Sequence, residues 1–529
     1  MKRTLSILMV ALAIGAASER LWAQMPGHGE HMMAPSMAPE GFERSTAGLA
    51  AVSPSRDVML KDKAVFELTA APVSKQLSGR TLRMYAYNGS IPGPLLRVKQ
   101  GSTLTVRFTN RLDLDSSVHW HGVRVENGSD GVPGVTQSPV RPGDEYTYRL
   151  RFPDAGLFWY HPHLREDVTQ ELGLYGGILV EPSAKPGQPG GWPATDREVV
   201  VFLDDIFLIA NDVAPFYREV VTHALSGRFG TTFLTNGLTN WGLEVKQGER
   251  VRFYFANSAN TRTFAVSLEE HSLKLIGSDG GRAAREVLTS SVVLGPSERA
   301  IVDVLFQSPG SFRLEHRSPQ RTVSLGTIRV LKASAAAETG DFFRPGGDDG
   351  IVRQAASLVA RAPSQPDYVL DLKVKGAMMG MGGMMMEMER PSPIEWEEDG
   401  HMAMMNAMSS SQTLRWIISD RNSGRENMDI QLQVAVGQVR LLRLVNDVNS
   451  EHPMQHPIHL HGQRFLVVSR DGKAETNPVW KDTVLVPAGS NYDLLVEFDN
   501  PGRWLLHCHI PEHMEAGMMA VFEVKEVSS

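Results

Sequence analysis

Apolar positions in this chain alternate or cluster in runs of about five to eight residues, rich in β-branched and aromatic types and bounded by Gly, Pro, Asn and Asp. TLTVRFT (103–109) and YDLLVEF (492–498) are typical. Long helical periodicity is scarce, so the pattern predicts an all-β chain of Greek-key sandwiches. The runs also repeat in register. VKQGSTLTVRFTN, VKQGERVRFYFAN and VAVGQVRLLRLVN each carry a Gly nine residues before a terminal Asn: Gly101 and Asn110, Gly248 and Asn257, Gly437 and Asn446. DAGLFWYHPH, SPGSFRLEHR and NPGRWLLHCH align on Gly156, Gly310 and Gly502. This places His161-Pro162-His163, Glu315-His316-Arg317 and His507-Cys508-His509 at equivalent strand ends.

The repeats and the length of 529 residues predict three domains, over 55–184, 196–333 and 365–527. Candidate linkers are KPGQPGGWPATD (185–196) and the stretch 334–364, where Ala, Gly and Asp accumulate without periodicity. The middle copy has lost the His-x-His pattern and reads as a structural spacer.

Cys508 is the only cysteine, so it forms no internal disulfide, and it stands between two histidines. In an extended strand His507 and His509 face one way and Cys508 the other. One tripeptide can therefore touch two metal sites. His513 and Met518 follow within reach of the sulfur, and thiolate, imidazole and thioether are the ligands of a blue-copper centre. Ten of the 17 histidines fall in four short motifs: His119 and His121, His161 and His163, His456, His459 and His461, and His507, His509 and His513. A buried thiol among chance histidines does not account for that density.

A formal net charge of −7 offers no basic footprint for nucleic acid. Residues 1–24 have the layout of a secretory signal: Lys2 and Arg3, an apolar run from Leu5 to Ala17 too short to span a bilayer, then small residues. The expectation is a periplasmic or otherwise exported protein, monomeric, with no membrane span after signal removal. A Met- and His-containing segment, 25–54, precedes the first domain.

In the order and content of these four motifs the chain resembles the three-domain multicopper oxidases, a family that includes laccases, ascorbate oxidase and bacterial cuprous oxidases. The likeness covers most of the chain after residue 50. It implies three consecutive cupredoxin-like domains and four coppers: one type 1, one type 2 and two type 3. It implies His456, Cys508, His513 and axial Met518 as type 1 ligands, and His119 and His459 as type 2 ligands. His121, His161 and His509 would serve one type 3 copper and His163, His461 and His507 the other. Eight cluster histidines exceed what the single type 2 copper of a two-domain nitrite reductase uses. Asp130 matches an acidic residue beside the cluster, a proton donor in one reading and a turn residue in the other. Many bacterial relatives have a relay glutamate directly after the last histidine; here Met514 stands there, with Glu515 next.

The third repeat is spaced about 40 residues further from the second than the second is from the first, and a methionine-rich insertion, 376–408, accounts for it. It packs eleven of the 24 methionines with Gly, Glu and His401. Thioethers favour Cu(I), so Met378, Met381, Met385 and His401 are candidate ligands for a substrate copper; the plainer reading is an adaptable apolar lid. Met454 matches a substrate-copper methionine of the cuprous oxidases, and His452 stands where those have aspartate. Both residues could instead only pack the mouth of the type 1 site. The expected activity is O2-dependent oxidation of Cu(I), conferring copper tolerance. The alternatives are a laccase acting on phenols and aromatic amines, and a copper-sequestering protein.

Overall fold

A computed structural model describes residues 40–184, 191–210, 212–333, 341–376, 392–398 and 400–526, the side chain of His401 excepted. The expected signal, residues 1–24, lies outside them, as do Met378, Met381 and Met385.

One sheet pattern occurs three times. In the first sheet of each copy, the earliest strand of that sheet runs parallel to the strand ending in the repeat Asn. Ala64–Leu77 pairs with Thr103–Asn110, Arg197–Ile206 with Arg250–Asn257, and Tyr368–Lys375 with Val439–Asn446. Each repeat strand then pairs antiparallel with Glu145–Arg151, Arg299–Leu305 or Asn491–Glu497. In the second sheet the strand carrying the metal-motif position pairs antiparallel on both sides. The chain is thus all-β, with 49% of the described residues in strands and 7% in helices, in three cupredoxin-like domains.

The repeat residues have the same job in every copy. Gly101, Gly248 and Gly437 all take φ between 84° and 88°, and each N–H donates to a phenylalanine carbonyl: Phe152, Phe306 or Phe498. Left-handed backbone of this kind suits glycine, which has no Cβ to clash. Asn110, Asn257 and Asn446 are buried, and each side-chain amide donates to two carbonyls: Leu114 and Val140, Arg262 and Leu294, Met454 and Val486. Buried polar groups persist only when hydrogen-bonded, so each Asn locks a corner of its sandwich. Between the sheets sit side chains such as Leu442, Leu494 and Val496, all within 1% of full burial. Each stabilises the fold by about 1.5–3 kcal/mol.

The stretch 334–364 is not wholly irregular. Asp349–Val359 is a helix, capped by Asp348, whose carboxylate accepts from the N–H groups of Gly350 and Ile351. Ala355 and Leu358 pack it against Leu441, Leu466, Trp480 and Leu495 of the third domain. Within the methionine-rich insertion Gly400–Met408 is helical; Met402 and Met405 pack inward and Met404 and Met408 face out.

Candidate metal centres

Strand pairing delivers the histidines in facing rows. His119 pairs with His161 on adjacent strands of the first domain, and His459 with His507 in the third. The rows meet, so that four buried histidines from each domain form one nest: His119, His121, His161 and His163 with His459, His461, His507 and His509. His461 Nε2 lies 3.0 Å from His507 Nε2, and His509 Nε2 lies 3.3 Å from His161 Nε2.

Most ring nitrogens that do not face the nest are held by acceptors, whereas His509 Nδ1 is buried without a hydrogen-bond partner. Nδ1 of His119, His161, His459 and His507 lies at 2.7–2.9 Å from a backbone carbonyl: that of Asp130, Pro162, Asp482 and Cys508, respectively. His461 Nδ1 meets Asp130 Oδ2 at 3.0 Å. His121 is turned the other way: its Nε2 faces Asp482 Oδ1 and Thr483 Oγ1, leaving Nδ1 without a partner. Nε2 of His119, His163 and His459 is likewise buried and unpartnered. Fixing one nitrogen as donor leaves the other as a lone pair, as metal ligation requires.

Burial, followed by neighbouring imidazoles, holds His121, His161, His163, His459, His461 and His509 well below the usual histidine range. Burial brings His507 to about 3. The rings are therefore neutral and available to a cation.

On the other face of the same strand, Cys508 Sγ lies 3.6 Å from His456 Nδ1 and 3.7 Å from His513 Nδ1. Cys508 N–H donates to the Met518 carbonyl and Met518 N–H to that of His513, so the short helix Pro511–Glu515 folds its turn back onto the sulfur. All four residues are buried. Burial pushes the bare thiol up, which makes a metal cation the natural means of holding a thiolate there. Trp416 stacks on His513 at 4.1 Å and donates its indole N–H to the Ala224 carbonyl. Imidazole nests with open nitrogens and a thiolate between two imidazoles fit copper.

Multicopper oxidase family models match residues 70–185, 200–330 and 394–528. The chain belongs to the multicopper oxidases. The family carries four coppers of types 1, 2 and 3. The oxidase is 28% identical over 482 residues to the multicopper oxidase MmcO of Mycobacterium tuberculosis, covering 85% of each chain. It is 26% identical over 579 residues to copper resistance protein A of Escherichia coli, covering 87% of this chain and 92% of that one. The crystal structure of the multi-copper oxidase from Pseudomonas thermotolerans superposes with a TM-score of 0.65 at 26% identity, over 89% of this chain and all of that one.

The acidic groups expected beside the nest divide. Asp130 is buried and touches both His119 and His461, at the end of the short 3-10 turn Asn127–Ser129. Glu515 meets no ring nitrogen; it accepts from Arg165 N–H at 3.0 Å. Burial and Asp167 raise its pKa to about 7. Two residues escaped sequence reading. Glu166 is fully buried, 3.3 Å from His163 Nδ1 and 3.8 Å from His161 Nδ1. The i, i+3 spacing of His163 and Glu166 was its available signal. Asp482 touches His121 and His459 from the bend between the strands Trp480–Lys481 and Thr483–Val486, which carries no motif.

Met454 is fully buried beside the Cys508 group in sequence and core, its carbonyl taken by Asn446. His452 Nε2 lies 3.4 Å from both Glu395 Oε1 and Ser226 Oγ, and burial brings its pKa to about 4. The structure thus gathers His452 with Glu395 from within the methionine-rich insertion. Met378, Met381 and Met385 lie outside the described residues, and only the backbone of His401 is described, in the helix Gly400–Met408. Among the described residues no helix is long and apolar enough to cross a membrane.

Proposed function

We propose that this oxidase takes Cu(I) as its reductant and passes the electrons to O2, four Cu(I), one O2 and four protons giving four Cu(II) and two waters. His456, Cys508, His513 and Met518 would hold the type 1 copper, and His119 and His459 the type 2. His121, His161 and His509, and His163, His461 and His507, would hold the type 3 pair. When bound, these coppers supply one-electron uptake at the thiolate site and four-electron reduction of O2 at the cluster. Cys508 ends the strand Gly502–Cys508 with a proposed cluster histidine on either side, so its backbone is the shortest covalent path between the sites. Asp130, within hydrogen-bond reach of His461 Nδ1, is the proposed holder of protons for water formation.

The observation that carries the choice of Cu(I) is the donor group at the type 1 mouth. His452 and Glu395 pair there, Met454 is two residues from His456, and the Gly400–Met408 helix exposes Met404 and Met408. Thioethers favour Cu(I), and imidazole accepts copper beside them. The N-terminal layout and the copper setting support export and a part in copper tolerance. Deleting 378–408 tests the substrate: Cu(I) oxidation by copper-loaded protein should fall about tenfold and phenol oxidation should rise, a change of roughly 1.4 kcal/mol in each barrier. Unchanged Cu(I) kinetics would exclude the insertion from substrate delivery and favour a laccase. Many turnovers of O2 consumption on adding Cu(I) would exclude simple sequestration.

A further inference from the structure

The middle domain gives no histidine to the nest, yet it sends one side chain to its edge. Arg299, at the start of the strand Arg299–Leu305, is 1% exposed. Its guanidinium grips both carboxylate oxygens of Asp482 in the third domain, at 2.7 Å for the Nη1 to Oδ1 bond. Its Nε donates to the Leu157 carbonyl of the first domain at 3.0 Å, and Nη1 also donates to the Ser297 carbonyl. The Arg299 backbone N–H donates to Asp279 Oδ1, and Lys481 Nζ lies 3.0 Å from Asp279 Oδ2. All three domains therefore meet on one fork.

Asp482 lies close enough to His121 and His459 to pass for a metal ligand itself. Its oxygens are already used: both accept from Arg299, and Oδ1 also accepts from the Thr483 hydroxyl and faces His121 Nε2 at 3.1 Å. A carboxylate held this way offers only acceptors, so the proton of His121 sits on Nε2 and the lone pair on Nδ1. That explains why His121 presents Nδ1 to the nest while His119, His163 and His459 present Nε2. The approach is tight: a Cβ on Gly122, the residue after His121, would collide with both Asp482 Oδ2 and Arg299 Nη2. Glycine at that position lets the ion pair lie directly against the His121 strand.

We propose that Arg299 is a positioning residue of the trinuclear site, acting through Asp482 to fix the reversed ring of His121 and, through the Asp482 carbonyl that lies 2.8 Å from His459 Nδ1, the type 2 ligand His459. The middle domain then contributes a charged brace in place of ligands. The inference rests on the ligand assignment above. Partners that orient a ligand commonly alter metal affinity by about 10- to 100-fold. Arg299→Met should therefore keep the blue absorption of the type 1 site, lose cluster copper with an affinity about 10- to 100-fold weaker, and change or lose the type 2 EPR signal.

Arg252→Met is the control, because Arg252 makes an equally buried bidentate pair with Asp303 inside the middle domain, and its hydrogen bonds go to Asp303 and the Pro193 carbonyl, not to any group that holds a nest histidine. It should keep all copper. Full cluster copper with an unaltered type 2 signal in Arg299→Met would overturn the proposal, as would an equal loss of cluster copper in Arg252→Met. If Arg299→Met does not fold, Arg299→Lys decides: it keeps the charge without the planar fork. A retained blue band with a disturbed type 2 signal supports the brace, and an unaltered signal overturns it. Unmutated protein that shows a blue band but no type 2 signal would sink the ligand assignment instead, so the two failures are distinguishable.

Discussion

The third and middle domains carry the same strand pairing with opposite chemistry. Ile458 faces Cys508 and His459 faces His507 in one; Val266 faces His316 and Ser267 faces Glu315 in the other. Where Cys508 has two histidine nitrogens near its sulfur, His316 has Phe233, Phe264 and Trp396 around its ring and accepts from the Ala265 N–H at 3.0 Å. Burial, followed by Arg262, brings His316 to about 4, so it is a neutral, apolar-packed ring. The same strand pairing thus presents a donor site in one copy and a packed core in the other. What differs is whether the neighbouring strand and the following turn also supply nitrogen.

The sharpest way to break this comparison is to make the third copy resemble the middle one. Cys508→Ser should abolish the blue band and bring oxidase turnover to background, while copper remains at the histidine nest; retained turnover would refute the electron path. Asp130→Asn keeps size and acceptor capacity at His461 but removes the proton-carrying carboxylate. Turnover should fall by about 10²-fold with the blue band intact, read by steady-state O2 consumption.

A smaller effect concerns stability. Glu512, fully buried, has its pKa raised to about 8 by burial and then by Asp167, from an ordinary value of 4.5. A raised pKa means the folded chain holds the proton more tightly. The stability this gives is complete below pH 4.5 and is lost as pH rises through about 8. Copper-free protein should lose roughly 1.4 kcal/mol per pH unit from this site across that window. Glu512→Gln, neutral throughout, should flatten the slope, measured as denaturant midpoints at several pH values. The converse swap should change least: His316→Cys should add no copper, because no second or third ligand stands beside it. A new blue band in that variant would show that the backbone alone specifies the site.

Cys508 and the ten clustered histidines were legible because each motif sits within one strand end or turn, where spacing alone decides which way side chains face. The three-domain all-β fold was legible through repeat glycines and asparagines that recur at fixed separation. The helix Asp349–Val359 was hidden because its buried side chains are few, Ala355 and Leu358 among them, and its partners lie in the distant segments around Leu441, Leu466 and Leu495. The groups that orient the ligands were hidden for a related reason. Asp482 is 361 residues from His121, and Arg299 is 183 residues from Asp482, so no local pattern joins them. Glu515 shows another limit: adjacency to the last motif left its direction open, and the helical turn sets its carboxylate on the Arg165 N–H.

The asparagine corners bear on the order of assembly. Each is closed by amide and carbonyl groups alone, and none of their bonds involves a sulfur or an imidazole. Closing these corners therefore requires no metal, and any copper that binds the folded chain but not the unfolded one stabilises it by mass action.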